Sequence, residues 1–209
     1  MIGQGVLREC LRDSRVAEVV TVGRTATGQQ HPKLRQIVHA DLLNLSAIAP
    51  QFDTVDACFW CLGVSSAGMK EADYRRVTLE MPLAAATMLV ARNPGMTFVY
   101  VSGTGADSSG QGRIMWARVK GQAENALAEL PFKAVYIFRP GFVQPLHGIQ
   151  SRTALYNAIY RLLGPLYPVL KRIAPGAATT TEQIGRAMLN VAESGASRRV
   201  LENPDINQL

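Results

Sequence analysis

The sequence predicts an α/β protein: a doubly wound parallel sheet with a small helical lobe in its C-terminal part. Three observations carry this. Short runs rich in β-branched and aromatic residues alternate with helical patterns from the N-terminus to Pro140. The runs are almost continuously apolar, as strands covered on both faces are. Most close on glycine, serine or another small residue, in the place where open parallel sheets receive ligands.

The elements follow in order. MIGQGVLREC opens an amphipathic helix that carries Gly3 and Gly5 at its front. VAEVVTVGR reads as a strand ending at Gly23-Arg24, and LRQIVHAD as a second one ending at Asp41. A short helix and turn are expected between Leu42 and Phe52. DACFWCLG is a third strand, ending at Gly63. A long helical pattern runs from about Lys70 to Arg92, and Pro82 inside it marks a kink or boundary. MTFVYVSG is a strand, RIMWARVKGQAENALAEL a helix of good formers, and FKAVYIFRP a strand closed by Pro140. Residues 1–145 are read as one domain and 146–209 as a lobe packed on it. In that lobe, TTTEQIG has a threonine cap and Glu182 in the first turn, which starts a helix over 180–194. RRVLENPDI can add a short strand.

The 209 residues suffice for one domain with a sizeable core, and 47% hydrophobic against 18% charged residues is ordinary for a soluble protein. No signal peptide pattern and no run of about 18 apolar residues is visible, so the cytoplasm is the expected location. The net charge is +6, but the basic residues are scattered rather than clustered, and no nucleic-acid partner is expected. Three cysteines, Cys10, Cys58 and Cys61, do not suggest a disulfide framework. Cys58 and Cys61 form a CxxC, yet three residues apart on a strand they point to opposite faces. No further Cys or His pair completes a metal site, and none is expected.

The stretches ACFWCLGVSSAG, FVYVSGTGAD, WARVKGQAENAL and FRPGFVQP, in this order, resemble the short-chain dehydrogenase/reductase superfamily in its atypical or extended branch. The likeness is to the Tat-interacting-protein-like and NAD-dependent epimerase/dehydratase-like group, and it runs over nearly the whole chain. It implies a Rossmann-like sheet and a nicotinamide cofactor, NADP or NAD. The family begins with a strand and a loop of the form TGATGxxG. Gly3 matches its third glycine, the one that lets the helix pack closely; the first strand and first two glycines have no counterpart. The sequence is therefore read either as starting too late or as a shortened form with weakened cofactor binding.

The resemblance implies further roles. Arg24 stands near the adenosine ribose, where a cation favours a 2′-phosphate and hence NADP; a solvated loop arginine is the equal alternative. Asp41 stands near the adenine, or is a helix cap. Leu62, Gly63 and Val64 pass beside ribose and phosphates, and Pro140, Gly141 and Val143 lie at the nicotinamide end. The family's catalytic set is a Ser or Thr at a strand end and Tyr-x-x-x-Lys on the next helix, where positions i and i+4 share a face. Here the spacing survives as Trp116-Ala117-Arg118-Val119-Lys120. Lys120 is implied both in catalysis and in holding the cofactor ribose. Trp116 replaces the tyrosine, and an indole N–H cannot act as a proton-transfer acid near neutral pH. Thr104, at the better-matching position, and Ser102 are the candidate hydroxyls. Tyr100 and Tyr136 lie on strands and do not fit the vacant role. His147 is a candidate on the substrate side.

Three functions are open on this reading. One is an NADP-dependent oxidoreductase or epimerase-like enzyme with a degenerate catalytic motif and an unspecified small-molecule substrate. Another is a nucleotide-binding regulatory protein without turnover. The last is a peripheral membrane protein, because residues 151–173 combine apolar side chains with Arg152, Arg161, Lys171 and Arg172. Exposed apolar helices would also permit a homo-oligomer.

Overall fold

A computed structural model describes residues 1–149 and 176–209; the 151–173 segment read for membrane contact lies outside the described residues. The elements are α1 (Ile2–Arg12), β1 (Val19–Gly23), β2 (Leu34–Val38), a 3-10 turn (Ser46–Phe52) and β3 (Ala57–Trp60). They continue with α2 (Glu71–Arg75), a π turn (Arg76–Glu80), α3 (Met81–Arg92), β4 (Thr97–Val101), α4 (Met115–Ala128) and β5 (Ala134–Arg139). The remainder is β6 (Phe142–Gln144), β7 (Ala178–Thr180), α5 (Thr181–Ser194), β8 (Val200–Glu202) and α6 (Asn203–Gln208). The doubly wound α/β architecture expected from the sequence is what the chain adopts.

All strand pairs among the described residues are parallel. The order is β1-β2 in one sheet, β3-β4-β5-β8 in a second, and β6-β7 in a short third. Each main strand feeds two cores, because successive side chains point to opposite faces. Val99, Tyr136 and Phe138 pack with Val6, Cys10, Ile184, Met188 and Val191 beneath α1 and α5. Phe98, Tyr100, Val135 and Ile137 pack with Leu79, Leu89, Val119, Ala123 and Leu127 beneath α3 and α4. Cys61 joins the first core and Cys58 the second, so the CxxC thiols do face opposite ways. Burial pushes both thiols up to about 12.

β1 and β3 also contribute to both cores: Val19 and Phe59 to the first, Val20, Val22, Cys58 and Trp60 to the second. They belong to the same layer, yet among the described residues β1 pairs only with β2 and β3 only with β4. Each keeps one edge without a strand neighbour among the described residues, and both are half-buried where β5 is buried throughout.

α1 and α5 cross closely. A Cβ on Gly5 would stand 2.6 Å from Thr181 Cβ and 2.7 Å from the Thr181 carbonyl oxygen, so only glycine fits. α5 starts as expected: the Thr180 hydroxyl accepts from the Gln183 amide at 3.0 Å, and Glu182 lies in the first turn. The helical pattern from Lys70 to Arg92 is unbroken, but it loosens into the π turn just ahead of Pro82, whose missing N–H leaves the preceding turn without one bond.

Candidate functional site

β4 and β5 end side by side, and their ladder continues beyond the strands: the Ser102 amide donates to the Phe138 carbonyl at 2.7 Å and the Thr104 amide to the Pro140 carbonyl at 3.1 Å. Residues 102–105 and 139–141 are thus held as one rim. Thr104, Gly105 and Gly141 are exposed on it, and Ser102 is buried beneath. Gly105 has φ +87°, in the left-handed region that glycine tolerates.

α4 crosses under this rim because Gly121 allows it: a Cβ there would meet the Asp107 carbonyl oxygen at 1.6 Å. The crossing brings two sequence-predicted residues to the rim. The Trp116 ring lies 3.3 Å from where a Gly105 Cβ would stand, and Lys120 Cε lies 3.9 Å from the corresponding point on Gly103. Thr104 Oγ1 is 3.4 Å from the corresponding point on Gly141. Thr104, Trp116, Lys120 and Gly141 therefore converge.

The hydroxyl protons are committed elsewhere. Ser102 Oγ donates to Glu124 Oε1 in a short bond. Thr104 Oγ1 lies 2.9 Å from the Arg139 carbonyl and 3.3 Å from Glu202 Oε2, acceptors that compete for its one proton. Behind them, Arg139 Nε lies 3.1 and 3.2 Å from the two Glu124 oxygens, with a closer bond from Nη2 to Oε2. Arg139 Nη2 also donates to Ser108 Oγ at 2.7 Å. Glu124 and Arg139 are both buried. Arg139 belongs to the FRPGFVQP stretch that carries the family resemblance; Glu124 goes unmarked in the sequence, where its signal is an acid inside an apolar helix stretch.

Lys120 is half-buried, and among the described residues its ammonium has no hydrogen-bond or ion-pair partner. It rests over the Tyr100 ring, 5.8 Å from the centroid. Desolvation pulls its pKa down to about 8, with the nearby Glu124 charge opposing.

Other predicted residues are distributed along the strand ends. Leu62, Gly63 and Val64 are exposed beyond β3. Gly3 is next to them: a Cβ on it would stand 3.1 Å from Cys61 Cβ, so α1 begins hard against the end of β3. The first turn of α1 has no side-chain cap and no acidic residue. Arg24 is exposed beyond β1. Asp41 Oδ1 accepts from the Leu43 amide at 3.0 Å, so it serves its own turn. Pro140 is buried and gives its carbonyl to Thr104. Val143 is buried in the first core, with no face toward the rim. His147 lies apart, with Nε2 2.6 Å from Glu182 Oε2. That contact, with Arg186 and Arg8 nearby, holds the Glu182 carboxyl below its usual range. His147 lines an open polar cleft of about 730 Å³ with Gln4, Arg8, Arg12 and His31, which includes none of the rim residues. Among the described residues, no helix is long and apolar enough to cross a membrane.

No family model matches the chain. Protein HTATIP2 of Rattus norvegicus is 30% identical over 213 residues, covering 99% of this chain and 84% of that protein. "Protein fmp52, mitochondrial" of Emericella nidulans is 26% identical over 199 residues, covering 91% and 82%. Among solved structures, the Bordetella bronchiseptica enzyme WbmH in complex with NAD+ superposes with a TM-score of 0.66 at 14% identity, over 96% of this chain and 70% of that one. A double mutant of the dTDP-glucose 4,6-dehydratase DesIV from Streptomyces venezuelae, with NAD and DAU bound, gives 0.66 at 16% identity, over 99% and 76%. These two share the fold. With the Trp116–Lys120 spacing, the 102–105 rim and the near full-length relative, the chain belongs to the atypical short-chain dehydrogenase/reductase family, with HTATIP2 among its relatives.

Proposed function

We propose that the chain holds a nicotinamide dinucleotide across the carboxyl ends of β3, β4 and β5 and uses it in oxidoreductase or epimerase-type chemistry. Lys120 carries this reading. A desolvated ammonium without a partner among the described residues, beside a floor of half-buried Gly103 and exposed Thr104, Gly105 and Gly141, is matched to a ligand's hydroxyls. The residues fit such a group: Lys120 would hold the ribose hydroxyls, Leu62 to Val64 would line its adenosine side, and the uncapped first turn of α1 would receive phosphate. The bound group would supply a transferable hydride. The NAD carried by the WbmH and DesIV structures supports the class of ligand. Arg24 supports NADP over NAD, since a cation there would meet a 2′-phosphate.

Calorimetric titration with NADPH and NADH tests this. NADPH is expected to bind more tightly, and Arg24→Ala to reduce the difference; absence of heat with either nucleotide overturns the reading.

A second reading has its own observation. Trp116 stands in the tyrosine position, and the Ser102 and Thr104 protons are both committed. This favours a nucleotide-binding regulatory protein without turnover. Turnover of the wild type and of Trp116→Tyr together decides between them: carbonyl reduction with NADPH in either indicates an enzyme, and none in both indicates a binder. The cytoplasm is kept as the proposed compartment because the three cysteines are free; fractionation of the full-length protein tests it against the organelle named for the fmp52 relatives.

A further inference from the structure

We propose that Lys120 itself delivers the proton to a substrate carbonyl oxygen, an inference that rests on the oxidoreductase reading above. Among the described residues, every other donor near the rim is occupied or, like the unpartnered Asn203 amide beside Gly141, unable to release a proton near neutral pH. Ser102 donates to Glu124, and Thr104 has Arg139 and Glu202 as its acceptors. The Trp116 indole does not ionise in the neutral range. Tyr100 turns its hydroxyl away to the Thr78 carbonyl at 2.9 Å, and the Tyr136 oxygen receives the Ala196 amide at 3.0 Å. Lys120 is left, with its stem against Gly103 and its ammonium unpaired among the described residues.

The structure also accounts for that freedom. Glu124 lies four residues after Lys120 on α4, the spacing at which a lysine and a glutamate face each other. Its carboxylate is taken instead by Arg139 from β5 and Ser102 from the end of β4. The charged or titratable groups around Lys120 are thus Glu124 on its own helix, Tyr100 from β4, and, behind Glu124, Arg139 from β5 and Glu202 from β8. Arg139 and Ser102 act as positioning residues: they hold the acid off and leave the ammonium able to release its proton. Its depression to about 8 agrees with such a role near neutrality.

The chemistry balances. Reduction of C=O to CH–OH needs a hydride at carbon, for which the co-reactant is a reduced nicotinamide dinucleotide, and a proton at oxygen. The O–H bond forms as one Nζ–H bond breaks. Lys120 passes from ammonium to neutral amine and regains a proton from water.

The test pairs a titration of the nucleotide-free protein with kinetics. The Lys120 Cε resonance, assigned by its loss in Lys120→Arg, is expected to titrate near 8, and Ser102→Ala to move that midpoint upward as Glu124 gains a free oxygen. With NADPH and a panel of aldehydes and ketones, turnover is expected to fall above the same midpoint. Lys120→Arg keeps the charge but not the releasable proton, and should lose about 100-fold or more in kcat while its calorimetric NADPH Kd changes only a few-fold. Trp116→Tyr combined with Lys120→Arg should recover part of the loss. An unshifted Lys120 midpoint, or wild-type turnover in Lys120→Arg, overturns the assignment. A wild-type protein that binds NADPH but reduces no member of the panel overturns it and leaves dinucleotide binding standing. Absence of NADPH binding overturns both.

Discussion

The Tyr100 hydroxyl donates to the Thr78 carbonyl at 2.9 Å, and Thr78 is the residue whose carbonyl Pro82, four positions later, cannot bond. A proline inside a helix deprives one acceptor of its partner. Here a buried strand tyrosine supplies the donor across the sheet–helix interface, and the helix runs on from Glu71 to Arg92.

That relationship predicts a coupling. Tyr100→Phe should cost about 1–3 kcal/mol by leaving a buried carbonyl unsatisfied. In a Pro82→Ala background, where the backbone can donate to Thr78 itself, the same substitution should cost less. A double-mutant cycle in urea reads the difference; strict additivity would mean that the hydroxyl does not substitute for the missing amide.

Lys120 gives a pH-dependent prediction. Its folded pKa of about 8 lies below the unfolded value of 10.5. Above about 8 the unfolded chain holds more protons, so this group's destabilising effect is complete below that pH and is relieved as pH rises toward 10.5. Lys120→Met should therefore be more stable than wild type at neutral pH, by on the order of 3 kcal/mol at most. The gap should narrow in alkaline buffer. A gap independent of pH in denaturant titrations would count against desolvation as its cause.

Gly121 governs the rim through packing. A Cβ 1.6 Å from the Asp107 carbonyl oxygen cannot be accommodated by a side-chain shift, because the obstacle is backbone. Gly121→Ala should destabilise by about 3 kcal/mol or more. It should also weaken NADPH binding, since the displaced loop leads back to Gly105 and Thr104. Thermal unfolding and calorimetry measured together check both effects.

The edges of β1 and β3 that are free among the described residues predict an effect of an added strand. A chain with an apolar strand and a Gly-Ala-Thr-Gly turn placed ahead of Met1 should gain stability. It should also bind NADPH at least about tenfold more tightly, a difference near 1.4 kcal/mol, because the turn adds amide donors beside α1. Equal binding by both chains would remove the phosphate role assigned to the start of α1.

Sequence by itself determined the alternation of strands and helices, the Trp116–Lys120 spacing and the Thr180 cap. Each depends on local periodicity or on contacts within a few residues. It also placed Cys58 and Cys61 on opposite faces, since strand geometry alone settles that. Tertiary structure decided what the neighbours do. The Glu124–Arg139–Ser102 cluster joins three elements distant in the chain, so no local pattern announces it, and by occupying Glu124 it leaves Lys120 without a partner among the described residues. Gly5 and Gly121 read as weak points in helices until Thr181 and Asp107 are seen against them. Val143 reads as part of a strand-end motif, but its side chain lies in the core, because the direction of a side chain after a turn depends on how β6 pairs with β7.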